Sequence, residues 1–365
     1  MNTPAARRTY LDVLRGVTVL IMIEAHVIDS WTRAADRKSH AFGQSLILGG
    51  FAAPLFLFLA GVAVAMSAGA KARRSGDDRA AAAATAKRGL QIFGLAFLFR
   101  FQSYILSHAP AWTMLKVDIL NVMGPSMVAA VAIWALARGP RGRAAAFVAA
   151  TIALVLATPV IRNIAGLAAL PDWLEGYLRP IPGLTNFTFF PWVAFVMAGA
   201  AIGVVLDAAR DASADRRVNL ACLGGGLALA AIAYAASSLP PVHPRSAFWT
   251  TSISFFFIRL GVMIAAIGLA WLWEQRRSAG TRWSPTQMLG RSSLFVYWVH
   301  VELVYGVISL PLHGAFPLAG AWLALVPFCL MMTWLAHVKN VVKRKYLSKR
   351  DLRGKLSGQA QPLMF

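Results

Sequence analysis

His26 and Asp29 stand three residues apart inside LRGVTVLIMIEAHVIDSWT, residues 14–32, a run otherwise apolar enough for a lipid bilayer. On a helix such a pair shares a face. A carboxylate beside an imidazole can orient the ring and raise its basicity, which is what a general base requires. The alternative for the same pair is an ion pair between helices that stabilises the bundle. Arg15 and Glu24 interrupt the run as well, and each ionisable group at the centre of a span costs about 2.5–3.5 kcal/mol on insertion scales. Charges of this kind usually face a protein interior or a water-filled path.

Helical phase sorts them. At about 100° per residue, Asp12, Arg15, Val19, Met22, His26 and Asp29 fall on one arc, so one face of the first helix is polar along its length. Asp12 and Arg15 can neutralise each other. Glu24 points the opposite way, toward either a second polar cavity or a basic neighbour such as Arg100 or Arg259. Further along, Arg100, Gln102, Lys116, Asp118 and Asn121 stand in one apolar region, and Arg259, Tyr297, His300 and Glu302 in another. Tyr297 and His300 lie one turn apart and could line the same cavity as His26, or simply close a core hydrogen bond. His40, in the surface segment RKSHAFG, is a lone histidine of a kind that is usually inert.

The elements that hold these groups follow from composition. Of 365 residues, 58% are hydrophobic and 14% charged, against about 25% charged in a soluble domain. The chain is therefore expected to be all-α, a polytopic membrane bundle of about ten helices near 10–32, 45–69, 85–108, 114–137, 144–162, 186–208, 218–238, 247–273, 286–309 and 316–338. With the N-terminus inside, alternate loops hold 25 lysines and arginines on the inner side and six on the outer. That bias places both termini in the cytoplasm. The first run carries acids and no small-residue cleavage site, so it is expected to stay as a span. Residues 1–340 form the membrane domain and 341–365 a basic tail, where KRKYLSKRDLRGK would lie against anionic lipid headgroups.

Several classes are excluded. The net charge of +21 would suggest nucleic acid in a soluble chain, but it is dispersed between apolar runs as a topology signal, so no nucleic-acid partner is expected. Cys222 and Cys329 both lie in apolar runs, which supports neither a disulfide scaffold nor a metal site. Phosphate-loop, HExxH and GxSxG patterns are absent from the sequence. The run GGG at 224–226 should let helices approach closely. A proton-coupled transporter using Glu24, His26, Asp29 and Arg259 is the alternative to catalysis, together with a non-catalytic membrane protein. No inverted repeat of broken helices favours the transporter.

The segment YLDVLRGVTVLIMIEAH resembles the opening helix of the heparan-alpha-glucosaminide N-acetyltransferase-like membrane proteins, which begin with a similar Asp-x-x-Arg-Gly. With His26 fourteen residues after Asp12, it is also similar to the family-three membrane acyltransferases. HAFGQSLILGGFAAPLFLFLAGVAVAMS resembles the heparan-type loop and second helix, where an active-site His precedes a Pro-(Leu or Trp)-Phe-x-Phe-x-x-Gly motif by fourteen residues; His40 and Pro54 keep that interval. VDILNVMGPSMVAA and LGRSSLFVYWVHVELV resemble later segments of that family. Gly50 replaces the heparan-type acid and His26 stands at its first-helix Asn.

The resemblance implies an integral enzyme of the bacterial inner membrane that moves an acyl group from acetyl-coenzyme A, as co-substrate, to an amine or hydroxyl of a glycan or lipid acceptor. His26 or His40 would be the base and Asp29 would orient His26. Arg15 and Arg100 would assist lower in the cavity. The basic loop with Arg73, Arg74, Lys87 and Arg88 would hold the coenzyme phosphates. A homo-oligomer is compatible with this reading.

Overall fold

A computed structural model describes residues 8–107, 110–277 and 284–358. In chain order the helices are α1 (Thr9–Trp31), α2 (His40–Gly49), α3 (Ala52–Ser75), α4 (Asp78–Ser107), α5 (Ile119–Leu136), α6 (Gly139–Ile161) and α7 (Asp172–Leu178). They continue with α8 (Phe189–Ala208), α9 (Ala212–Ala236), α10 (Phe248–Thr251), α11 (Ile253–Gln275), α12 (Pro285–Arg291), α13 (Ser293–Tyr305) and α14 (Leu318–Gly358). Among the described residues the only β pairing is two isolated bridges, Thr32 with Phe316 and Val117 with Thr185. The expected all-α polytopic bundle is the fold.

Among the described residues eight helical stretches are long and apolar enough to cross a membrane: α2 with α3, then α4, α5, α6, α8, α9, α11 and α14. The other two sequence-predicted spans differ for physical reasons. α1 has the length, at 23 residues, but carries the ionisable stripe. The ninth is broken at Ser292 into α12 and α13, and the 13 residues of α13 reach only about 20 Å of the roughly 30 Å hydrocarbon layer. A second break, at Gly50–Phe51, separates α2 from α3. α14 passes through residue 341 without interruption to Gly358. Of the basic positions used for orientation, Arg7 and Arg282 lie outside the described residues.

Small residues set how closely the helices pack. α3 crosses α8 at Gly61 and Gly199, where an added Cβ would fall 2.0 Å from the Val196 carbonyl oxygen and 1.9 Å from that of Phe58. α12 meets α1 the same way, at Gly16 and Gly290. Within the GGG run only Gly226 touches a neighbour, α11, while Gly224 and Gly225 face open space. Gly199→Val is therefore expected to destabilise the bundle by about 1–3 kcal/mol or more through overpacking. Gly224→Val should stay within about 0.5 kcal/mol of the parent. Thermal unfolding of the two variants in one detergent checks the contrast.

The ends are tied by polar contacts. Asp36 accepts the backbone N–H of Leu318, the first residue of α14, at 2.8 Å, and Arg33 lies beside it. That N–H, with Arg33 adding to it, holds the Asp36 carboxyl below its ordinary range. At the opposite end of the bundle Thr9 donates to Glu274, so the start of α1 lies beside the end of α11 and the two helices run antiparallel.

Candidate active site

The polar face of α1 opens into one cavity of about 1000 Å³, lined by Arg15, Met22, His26 and Asp29 of that helix. From Arg15 to Asp29 the cavity follows α1 for about 21 Å at the helical rise. Opposite, α13 contributes Ser293, Tyr297, Val301 and Tyr305 in steps of four. Arg88 and Arg100 of α4, Asp118 at the head of α5, Trp192 of α8 and Arg259 of α11 complete the wall. Arg15, His26 and Asp29 of the stripe thus meet a hydratable chamber instead of lipid, while Asp12 is buried outside it between Arg15 and Arg291.

His26 Nδ1 lies 2.8 Å from His300 Nε2, and His300 Nδ1 lies 2.8 Å from the carbonyl oxygen of Val296. The two imidazoles are nearly coplanar, 4° apart. The direction of this relay follows from donor chemistry. A carbonyl only accepts, so in the neutral rings His300 carries its proton on Nδ1 and its Nε2 is an acceptor. That nitrogen takes the Nδ1–H of His26. The Nε2 of His26 is then left with a lone pair on a ring that lines the cavity. His300 is fully buried, so packing fixes the orientation of both rings.

The partner of the His26 ring is His300. Asp29 instead accepts the Tyr305 hydroxyl at 3.0 Å, with Arg37 3.7 Å from its carboxylate and donating to its backbone carbonyl. The end of α1 is held to α13 in addition by Ser30 and Trp31, which both donate to the Val304 carbonyl, at 3.1 and 3.4 Å. His40 is the first residue of α2, exposed, and is not among the residues lining the cavity. The structure thus puts the two candidate bases in different settings: one inside the cavity on a fixed relay, one on the surface.

The candidate basic residues divide likewise. Arg15 sits 3.5 Å from Asp12, which Arg291 of α12 also approaches at 3.1 Å. Arg100 is paired with Asp118, whose carboxylate also caps α5 in a capping box with Asn121. Arg73 is bound bidentately to Asp207 at the end of α8, at 2.5 and 2.8 Å, and Arg74 is exposed. Lys87 and Arg88 line a second cavity of about 420 Å³ with Lys71, Ser67 and Gln91. Arg88 borders both cavities. Glu24 is buried, and among the described residues neither of its carboxylate oxygens has a hydrogen-bond partner; Arg100 and Arg259, the basic neighbours considered for it, pair with Asp118 and with the Gly50 carbonyl.

Sequence reasoning singled out His300 without its partnership to His26, and it missed Tyr305, Trp192 and Asn186 of the cavity wall. A signal for Tyr305 existed: Ser293, Tyr297, Val301 and Tyr305 repeat every four residues, the spacing of one helical face. Asn186 lies in an irregular segment, fixed by Val117 through bonds of 2.9 Å to Leu184 and Asn186. No periodicity points to it.

Among curated proteins none matches this chain. The family model for heparan-alpha-glucosaminide N-acetyltransferase, catalytic, matches residues 7–234. The match contains α1, His26, His40 and the Arg100–Asp118 pair, and it stops before Arg259 and His300. It spans well over half of the 365 residues, and with the polytopic helical fold it makes this an integral membrane protein of acetyltransferase type: the chain belongs to the heparan-alpha-glucosaminide N-acetyltransferase catalytic family.

Proposed function

We propose that the protein transfers an acyl group, acetyl first among them, from acyl-coenzyme A to a hydroxyl or amine of a glycan or lipid acceptor, with Nε2 of His26 as general base. The observation that carries this reading is the cavity that joins the basic residues Arg15 and Arg88 at one end to His26 and Asp29 at the other. A thioester is already activated, so the protein has to align two substrates and manage one proton. The acceptor gives its proton to His26 Nε2 as its lone pair bonds to the thioester carbonyl carbon. The tetrahedral intermediate collapses, the C–S bond breaks, and the departing thiolate takes the proton back. During the step His26 is an imidazolium whose Nδ1–H still bonds to His300.

With both termini in the cytoplasm, as the distribution of lysine and arginine favours, the Arg15 and Arg88 end faces the cytosolic coenzyme. Its phosphates fit the smaller basic cavity of Lys71, Lys87 and Arg88. From there the pantetheine arm has about 16 Å of α1 to follow from Arg15 to His26. Purified protein given radiolabelled acetyl-coenzyme A should label a glycan or lipid fraction; absence of transfer to either fraction would sink the proposal. Arg88→Gln is expected to raise KM for acetyl-coenzyme A about tenfold, the loss of one charge-assisted contact. KM for the acceptor should not move, and initial-rate kinetics with each substrate varied in turn measures both.

A further inference from the structure

Arg259 is a charged residue of the cavity wall that neither the relay nor the coenzyme path uses. It lies beyond the matched part of the chain, in α11, and among the described residues no carboxylate forms an ion pair with it. Its guanidinium donates to the carbonyl of Gly50, at the break between α2 and α3. Aromatic rings surround the guanidinium: Phe255 at 4.8 Å, Phe51 and Trp192 at 5.9 Å, Phe195 at 6.0 Å. An arginine cannot shed its proton, and a ring face answers a cation without using its N–H fork. Most of the five donors therefore remain available to whatever enters the cavity.

Its place relative to the base is fixed by the fold. α1 and α11 run antiparallel, and Arg259 stands six residues after the start of α11 while His26 stands five before the end of α1. Each is within about 10 Å of the same end of the bundle at the helical rise. The end of α2 and the break after it link them: Gly50 accepts from Arg259, and a Cβ on Gly49 would lie 2.7 Å from that of Ala25, next to His26. The chamber as a whole leans positive, with five basic side chains and three carboxylates on its wall.

We propose that Arg259 is the anion-recognition residue of the acceptor site, and that the acceptor carries a carboxylate, sulfate or phosphate group close to the hydroxyl or amine that is acylated. This rests on the acyltransferase reading for the acceptor, but not for the anion. The planar fork of arginine suits two-oxygen groups, and Trp192 beside it offers a flat face to a sugar ring. An acceptor anchored in this way has its reactive group held at the level of the His26 imidazole.

Isothermal titration of the full-length protein in neutral detergent, with methyl glucuronide, methyl glucoside and inorganic phosphate as probes, reads binding without any acyl transfer. The anion site and the transferase reading can therefore fail separately. Methyl glucuronide is expected to bind at least about tenfold more tightly than methyl glucoside, about 1.4 kcal/mol. The preference should vanish in Arg259→Gln, and Arg259→Lys, which keeps the charge without the fork, should retain part of it. Competition by phosphate, or by nanodiscs of anionic lipid where the source is a headgroup, would support the site and assign the anion. Equal affinity for the two sugars in the parent protein would overturn it. So would a preference that survives Arg259→Gln while the melting temperature falls, because the guanidinium would then be only a cap for Gly50.

Discussion

His26→Gln is expected to lower acyl transfer by about 10²–10⁴-fold, the range contributed by a positioned general base, with little change in melting temperature because the ring is half-buried and lines a cavity. The residual rate should lose the acid limb of its pH profile, since no imidazole remains to titrate in the reacting position. His300 acts through His26 and is a positioning residue. His300→Leu stays close to the volume of the imidazole but removes the acceptor for Nδ1–H, so His26 no longer has a fixed tautomer or orientation. A misplaced base can cost up to about 10²-fold, and here the loss should appear in kcat with KM for acetyl-coenzyme A unchanged and the pH profile altered. His40→Ala is the control, within about 0.5 kcal/mol of the parent in stability and close to it in rate. Full activity in His26→Gln, or its abolition in His40→Ala, would reassign the base to the loop histidine.

The contrast between these histidines marks what a single sequence can and cannot convey. The stripe on α1 was legible because helical periodicity is local: Arg15, Met22, His26 and Asp29 line the cavity as their spacing requires. The general all-α membrane architecture was legible for the same reason, since length and apolarity of each run suffice. The partner of His26 was not, because His300 is 274 residues away and its role depends on how α13 lies against α1. Asp29 illustrates the same limit from the other side. It shares a helical face with His26, but the Tyr305 hydroxyl and Arg37 claim its oxygens. Arg73 reads as a free cation in a basic loop, whereas Asp207, 134 residues later, neutralises it. The breaks at Gly50 and Ser292 fall inside runs whose apolar pattern continues across them, so hydropathy alone merges the pieces. Glu24 shows the same limit again: helical phase offers it Arg100 or Arg259, yet among the described residues neither of its buried carboxylate oxygens has a hydrogen-bond partner.

Asp118→Ala is expected to destabilise the protein by about 3–5 kcal/mol, the cost of stranding one member of a buried ion pair. Asp118 and Arg100 have side chains only 15% and 13% exposed, so the guanidinium left behind would be largely desolvated. The same carboxylate accepts the Ile119 N–H at 2.7 Å and completes the capping box of α5 with Asn121. Loss of such a cap accounts for about 0.5–2 kcal/mol of the total. Asp118→Asn separates the two contributions, because an amide oxygen can still accept from Ile119 while the charge is gone. If the ion pair dominates, Asn should behave nearly as badly as Ala, and Arg100→Met combined with Asp118→Ala should recover stability by removing the orphaned charge. The consequence extends to the site, since Arg100 and Asp118 both line the chamber that holds His26. An unpaired Arg100 would add positive charge beside a base that must become an imidazolium, so the rate should fall even at temperatures where the variant stays folded. Unfolding curves for the three variants in one detergent, with transfer rates measured well below each midpoint, test both parts. An Asp118→Ala protein that melts with the parent would show that the pair and the cap contribute nothing to holding this wall of the cavity.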